Sequence, residues 1–193
     1  QRHRPMHQPR QLLQAPRRAA ERERIREQNP RLRKYEARLG DVEVDIYTPF
    51  QSNLTIPVTM LFERRWHTKI EGYDVALPEV LLLLKSQAAR ERWNSEKGVK
   101  DRVDLLALLL YTDWKERFLR ELAESFDARR ELLAVLARTV SESRIEYTYL
   151  DARYEREGRR LREAVDRLGE TGYRLGTRQK KAFRLHRRTK TMS

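Results

Sequence analysis

The sequence predicts an α+β protein: a small mixed sheet containing a β-hairpin, followed by a mostly helical C-terminal region. Residues 33–48 alternate apolar and polar positions on either side of Leu39-Gly40-Asp41, the two-residue period of strands joined by a turn. From residue 78 onward apolar side chains recur three and four positions apart, the spacing of amphipathic helices. At 193 residues the chain is long enough for one domain with a sizeable core and short appendages.

Taken in order, residues 1–18 carry Pro5, Pro9 and Pro16 among Arg and Gln, a composition that disfavours helix and builds no core. Residues 19–28 read as a short helix of mixed charge, ended by Asn29-Pro30. The hairpin follows, and on its second strand Val42, Val44 and Ile46 share one face while Glu43, Asp45 and Tyr47 share the other. Residues 49–57 read as a loop, and residues 58–62 and 69–75 as further short strands. Pro78-Glu79 opens a helix through about Arg92, because proline suits a first turn and glutamate favours its positive end. A polar break over residues 94–98 precedes a helix from Asp101 to Tyr111. Residues 114–126 and 129–140 repeat helical spacings, and residues 145–168 read as one long helix despite the strand-like alternation of Ile145, Tyr147 and Tyr149. The expected organisation is a basic arm over residues 1–32, disordered or short-helical, a body over 33–140, a helical extension over 141–170 and a basic tail over 171–193.

The net charge of +13 points to an anionic partner, and its distribution matters. Residues 1–33 hold ten Arg against three Glu, residues 171–193 hold eight Lys or Arg and no acid, and the body between is nearly neutral. Basic ends of this kind suit solvated chain or salt-sensitive contact with RNA or DNA. The absence of cysteine excludes disulfide frameworks, thiolate zinc sites and a cysteine nucleophile. His3, His7, His67 and His186 are too dispersed for a zinc motif. No apolar run has membrane-spanning length and no signal-peptide core follows the basic start, so the expectation is a soluble cytoplasmic protein with no membrane partner. The first residue is Gln1 rather than methionine, as in a truncated reading frame or a processed protein.

Residues 77–110, LPEVLLLLKSQAARERWNSEKGVKDRVDLLALLL, break an apolar helical pattern with charge at helical intervals. Lys85, Ala88, Ala89 and Arg92 stand at i, i+3, i+4 and i+7, which places two cations on one side with small residues between. The same residues have plainer readings. Lys85 can extend its stem out of a leucine-rich face, Arg92 can complement the end of a helix dipole, Asp101 can serve as an N-cap with Asp104 in a capping-box position, and Lys100 can be surface charge. Glu43 and Asp45 can equally be two solvated acids on a strand.

The ordered set of Asp45 on an apolar strand, Lys85, Arg92, Lys100-Asp101 and then Asp104 before a leucine-rich helix resembles the distal part of a nucleotidyltransferase of the DNA-polymerase-β type, as found in defence and toxin proteins. The resemblance covers residues 34–112 and extends toward residue 140. It implies transfer of a nucleoside monophosphate from a nucleoside triphosphate to a hydroxyl acceptor, with Mg2+ held by strand carboxylates. Asp45 matches the third of those carboxylates; Glu43 and Asp45 as the acidic pair itself is the alternative. Lys85, Arg92 and Lys100 would contact the nucleotide, and Asp104 would orient Lys85 or Arg92. The family's Gly-Ser turn and separate acidic pair have no counterpart here, which implies an incomplete centre and an inactive isolated chain. A toxin-type relationship further implies an antitoxin partner, and the long C-terminal helix also suits pairing with a second copy. The competing reading is a noncatalytic module that binds nucleic acid or protein.

Overall fold

The computed structural model describes residues 26–27, 35–39, 42–49 and 52–170. The expected basic arm and tail lie almost wholly outside the described residues. The chain forms two compact units, Gln1–Thr59 and Met60–Ser193. The α+β class is as the sequence predicts, with the strands forming two separate antiparallel sheets.

In the first unit β1 (Arg26–Glu27), β2 (Tyr35–Leu39) and β3 (Val42–Ile46) lie in the order β1-β2-β3. Leu39 pairs with Val42, so the β2–β3 connection spans two residues, as the Leu39-Gly40-Asp41 signal predicts. Arg26 and Glu27 differ from expectation. They pair with Glu36 and Tyr35 in a ladder instead of continuing the helix read over residues 19–28, whose other residues are not described. Backbone pairing with β2 overrides a local helix propensity that has little apolar face behind it.

Residues 58–62 are also not a strand. They belong to α1 (Val58–Glu63), which opens directly after Pro57 and buries Met60; the proline start outweighs the β-branched Val58 and Thr59. After α1 the chain reverses at Arg65, whose φ of 54° is left-handed, and enters β4 (His67–Ile70) and β5 (Tyr73–Ala76). Glu71 and Gly72 between them have φ of 50° and 88°, the two positive values a type I′ hairpin turn requires. Trp66 anchors the hairpin base. Its carbonyl accepts from the Leu77 amide at 2.9 Å, and its ring meets Phe118 and Phe126 edge-on at 6.1 and 6.3 Å.

The rest of the second unit is helical: α2 (Pro78–Glu91), α3 (Glu96–Tyr111), α4 (Glu116–Ser125), α5 (Arg129–Glu142), α6 (Arg144–Thr148) and α7 (Tyr154–Gly169). Helix α2 is the hub and packs on α3, α4 and α5, while α7 packs mainly on α5. Each helix buries one stripe, such as Leu132, Val135, Leu136, Thr139 and Val140 on α5 or Leu161, Ala164, Val165 and Leu168 on α7. Each fully buried leucine contributes about 1.5–3 kcal/mol through removal from water. Glu79 is an exception in the core. It is buried, and its carboxylate accepts the Lys115 amide at 2.5 Å, serving the start of α4, where no side chain caps the helix locally.

Residues 145–168 form two helices instead of one. The chain turns at Asp151, φ 51°, with the Ala152 amide donating back to the Tyr147 carbonyl at 3.0 Å. The break has a packing cause: α6 lies on α3 whereas α7 lies on α5, and Tyr154 folds back edge-on to the fully buried Tyr147 at 5.3 Å. No helix among the described residues is long and apolar enough to cross a membrane.

Candidate functional site

Helices α2 and α3 form a hairpin whose connection is unusually close. Ser95 caps α3, its hydroxyl accepting the Gly98 amide at 3.1 Å and donating to the Arg92 carbonyl at 2.8 Å. A Cβ on Gly98 would stand 2.1 Å from the Arg92 carbonyl oxygen, so only glycine allows this approach. The helix therefore begins five residues before Asp101, and the capping roles read for Asp101 and Asp104 are corrected. Ser95 takes the cap, and both aspartates lie inside α3.

Three residues apart, Asp101 and Asp104 share the face of α3 that meets α2. Asp101 is 1% exposed and receives Arg92 through two bonds, Nε to Oδ2 at 2.5 Å and Nη2 to Oδ1 at 2.9 Å. Lys85 Nζ donates to Asp104 Oδ2 at 2.5 Å and stands 3.6 Å from Asp101 Oδ1. The result is a four-membered cluster with a buried carboxylate at its base. Lys85 and Asp104 form its open rim, their side chains 35% and 33% exposed. The sequence-predicted residues Lys85, Arg92 and Asp104 are thus brought together. Lys100 is exposed on α3 and joins no ion pair among the described residues. Asp101 is the member whose part was misread, although its spacing from Asp104 was a usable signal.

Two cations and two carboxylates leave the cluster neutral, so it has no net field to attract an anion. It can instead hold one ammonium at a fixed position. A lysine ammonium has three donors, of which Asp104 takes one, and the stem reaches the surface with about two thirds of the side chain covered.

Beside this cluster lies a second, fully enclosed pair. Arg102 Nε donates to Glu146 Oε1 at 2.7 Å, with the two side chains 11% and 7% exposed, and Arg102 also donates to the Trp93 carbonyl. It ties α3 to α6 and to the end of α2. An arginine within a leucine-rich helix was the only sequence hint of it.

In the first unit, Asp45 is exposed on β3, and the register sets it opposite Glu36 and sets Glu43 opposite Arg38. The pairing of Asp45 with Glu36 was not read from the sequence, because register decides it. Among the described residues no group of three or more His, Asp or Glu could hold a metal ion. Neither a family model, nor a curated protein, nor a solved structure matches the chain.

Proposed function

We propose that this chain is a nucleotidyltransferase-like protein with an incomplete centre, whose α2–α3 cluster contacts the phosphates of a nucleoside triphosphate; a complete form would pass the nucleoside monophosphate to a hydroxyl acceptor, with pyrophosphate leaving as the α–β phosphoanhydride bond breaks. The observation that carries the reading is the placement of Lys85: an ammonium fixed by Asp104, backed by buried Asp101, with about a third of its side chain open to solvent. Arg92 is held by Asp101 in a two-pronged pair, so its part is to set the carboxylate that steadies Lys85. Because the cluster is neutral, the contact is a positioned donor more than a diffuse attraction.

Equilibrium binding of nucleoside triphosphates to the full chain tests this. Lys85→Ala is expected to weaken binding at least tenfold, and Asp104→Asn by less, since the ammonium remains but loses its fixed position. Affinity unchanged by Lys85→Ala would sink the proposal. The noncatalytic alternative is favoured by one feature, the concentration of positive charge in residues 1–33 and 171–193. It gives RNA or DNA binding that falls steeply with salt and is indifferent to Lys85.

A further inference from the structure

On the side of α2 away from this cluster, α5 and the end of α2 enclose a groove of about 330 Å3 lined by Arg90, Trp93, Arg130, Glu131, Val135 and Arg138, with Ala134 between them. Its size is that of a small-molecule site. Arg90 follows Lys85 by five residues, about 140° around the helix, so the groove is a different surface. Three guanidinium groups meet two carboxylates there: Glu142, which is paired with Arg138, and Glu131, which is not closely engaged, its Oε1 lying 3.9 Å from Arg90 Nη1. Arg130 is exposed and has no ion pair among the described residues.

The guanidinium of Arg138 is pre-oriented. It lies over the Trp93 ring at 4.1 Å from the centroid, and Glu142 accepts from its Nε at 2.8 Å. Arg102 lies over the same ring at 4.8 Å, so the indole already holds cations and is not offered to a stacking base. The side chains of Arg90 and Arg138 are each about half exposed, at 48% and 49%. Arg130 and Arg138 stand about two turns apart on α5, and with Arg90 they give the groove three guanidinium groups, more than one phosphate group needs. Planar guanidinium forks match phosphate oxygens, and a stacked fork loses less freedom on binding than a free one.

We propose that this groove binds a ligand carrying two or more linked phosphate groups, with Arg90 on one wall and Arg130 and Arg138 on the other. The linked phosphates could come from a free phosphoanhydride or from a nucleic-acid backbone. Calorimetric titration of the full chain with pyrophosphate, and separately with a single-stranded oligonucleotide, distinguishes these. Pyrophosphate is expected to bind saturably, and the Arg130→Gln/Arg138→Gln variant to bind it at least tenfold more weakly, with a melting temperature only slightly lowered, since Arg130 is exposed and Arg138 gives up one surface ion pair and one half-exposed ring contact. Binding that persists in Lys85→Ala and is lost in the double variant belongs to the groove, and binding lost in Lys85→Ala alone belongs to the triphosphate reading, so the two failures are distinguishable. Oligonucleotide binding that the same double variant abolishes would support the groove with a backbone as its source; binding of pyrophosphate alone would support it with a free phosphoanhydride. The proposal is overturned if neither pyrophosphate nor the oligonucleotide shows saturable binding that the double variant weakens, or if Arg117→Gln/Arg156→Gln, at exposed sites elsewhere, weakens that binding equally.

Discussion

Helix α2 carries cations toward two neighbours, Lys85 and Arg92 toward α3 and Arg90 toward α5, and the two sides treat charge in opposite ways. Toward α3 every cation meets a carboxylate, and one of those carboxylates is 1% exposed. Toward α5 the pairs are open to solvent: Arg90 stands 3.9 Å from Glu131, Arg138 donates to exposed Glu142, and Arg130 has no ion pair among the described residues. Removing a carboxylate from water is costly unless partners replace its hydration, so the first arrangement must be complete for the helices to close. Exposed arginines are solvated without any partner. Charge in the first region is therefore coupled to folding, and charge in the second is available for a ligand.

The largest expected effect breaks the first region. Arg92→Ala leaves Asp101 buried with only Lys85, 3.6 Å away, and is expected to lower stability by about 3 kcal/mol. Arg138→Gln in the groove is expected to stay within about 0.5 kcal/mol. Urea unfolding of the two variants makes the contrast directly, and equal losses would remove the distinction between the regions.

Alkaline pH probes a third case, a neutral hydroxyl whose burial outweighs the charges near it. Burial pushes the Tyr147 hydroxyl up to about 12 from 10.0; nearby Tyr154 and Glu157 add to the rise, and Arg162 opposes it. The folded state thus keeps the phenol neutral while the unfolded chain ionises. The stabilisation is complete below pH 10 and is lost as pH rises from about 10 to about 12, amounting to about 3 kcal/mol. Comparing the pH dependence of unfolding for wild type and Tyr147→Phe isolates it, because the variant lacks the titrating group.

Gly98→Ala sharpens the comparison from the backbone side. The added methyl meets a carbonyl oxygen that belongs to the turn itself, so α2 and α3 must separate, with an expected cost of about 2 kcal/mol and a weaker Lys85–Asp104 contact. Thermal melting together with nucleoside triphosphate binding measures both. A variant as stable as wild type would mean that the close approach does not position the cluster.

Much of this architecture could be read directly from residue patterns. The hairpin around Gly40, the proline start of α2 and the stripes of α4 and α5 follow from spacing alone, because local sterics and one buried face suffice to specify them. The strand read over residues 58–62 and the cap read at Asp101 fail on local signals, Pro57 and Ser95, whereas two other errors fall where a distant partner decided the outcome. Arg26 and Glu27 are strand because β2 is beside them. The long C-terminal helix breaks because α6 and α7 serve different neighbours.

The candidate site divides in the same manner. Sequence spacing alone set Lys85 and Arg92 on one stripe and aligned Asp101 with Asp104, since a helix repeats every 3.6 residues regardless of context. Only the tertiary structure decided that Asp101 is buried, that Lys85 pairs with Asp104, and that Arg138 stacks on Trp93. Those choices depend on the approach of helices far apart in sequence, and the balance between hydration and pairing that fixes each charge exists only once the helices have packed.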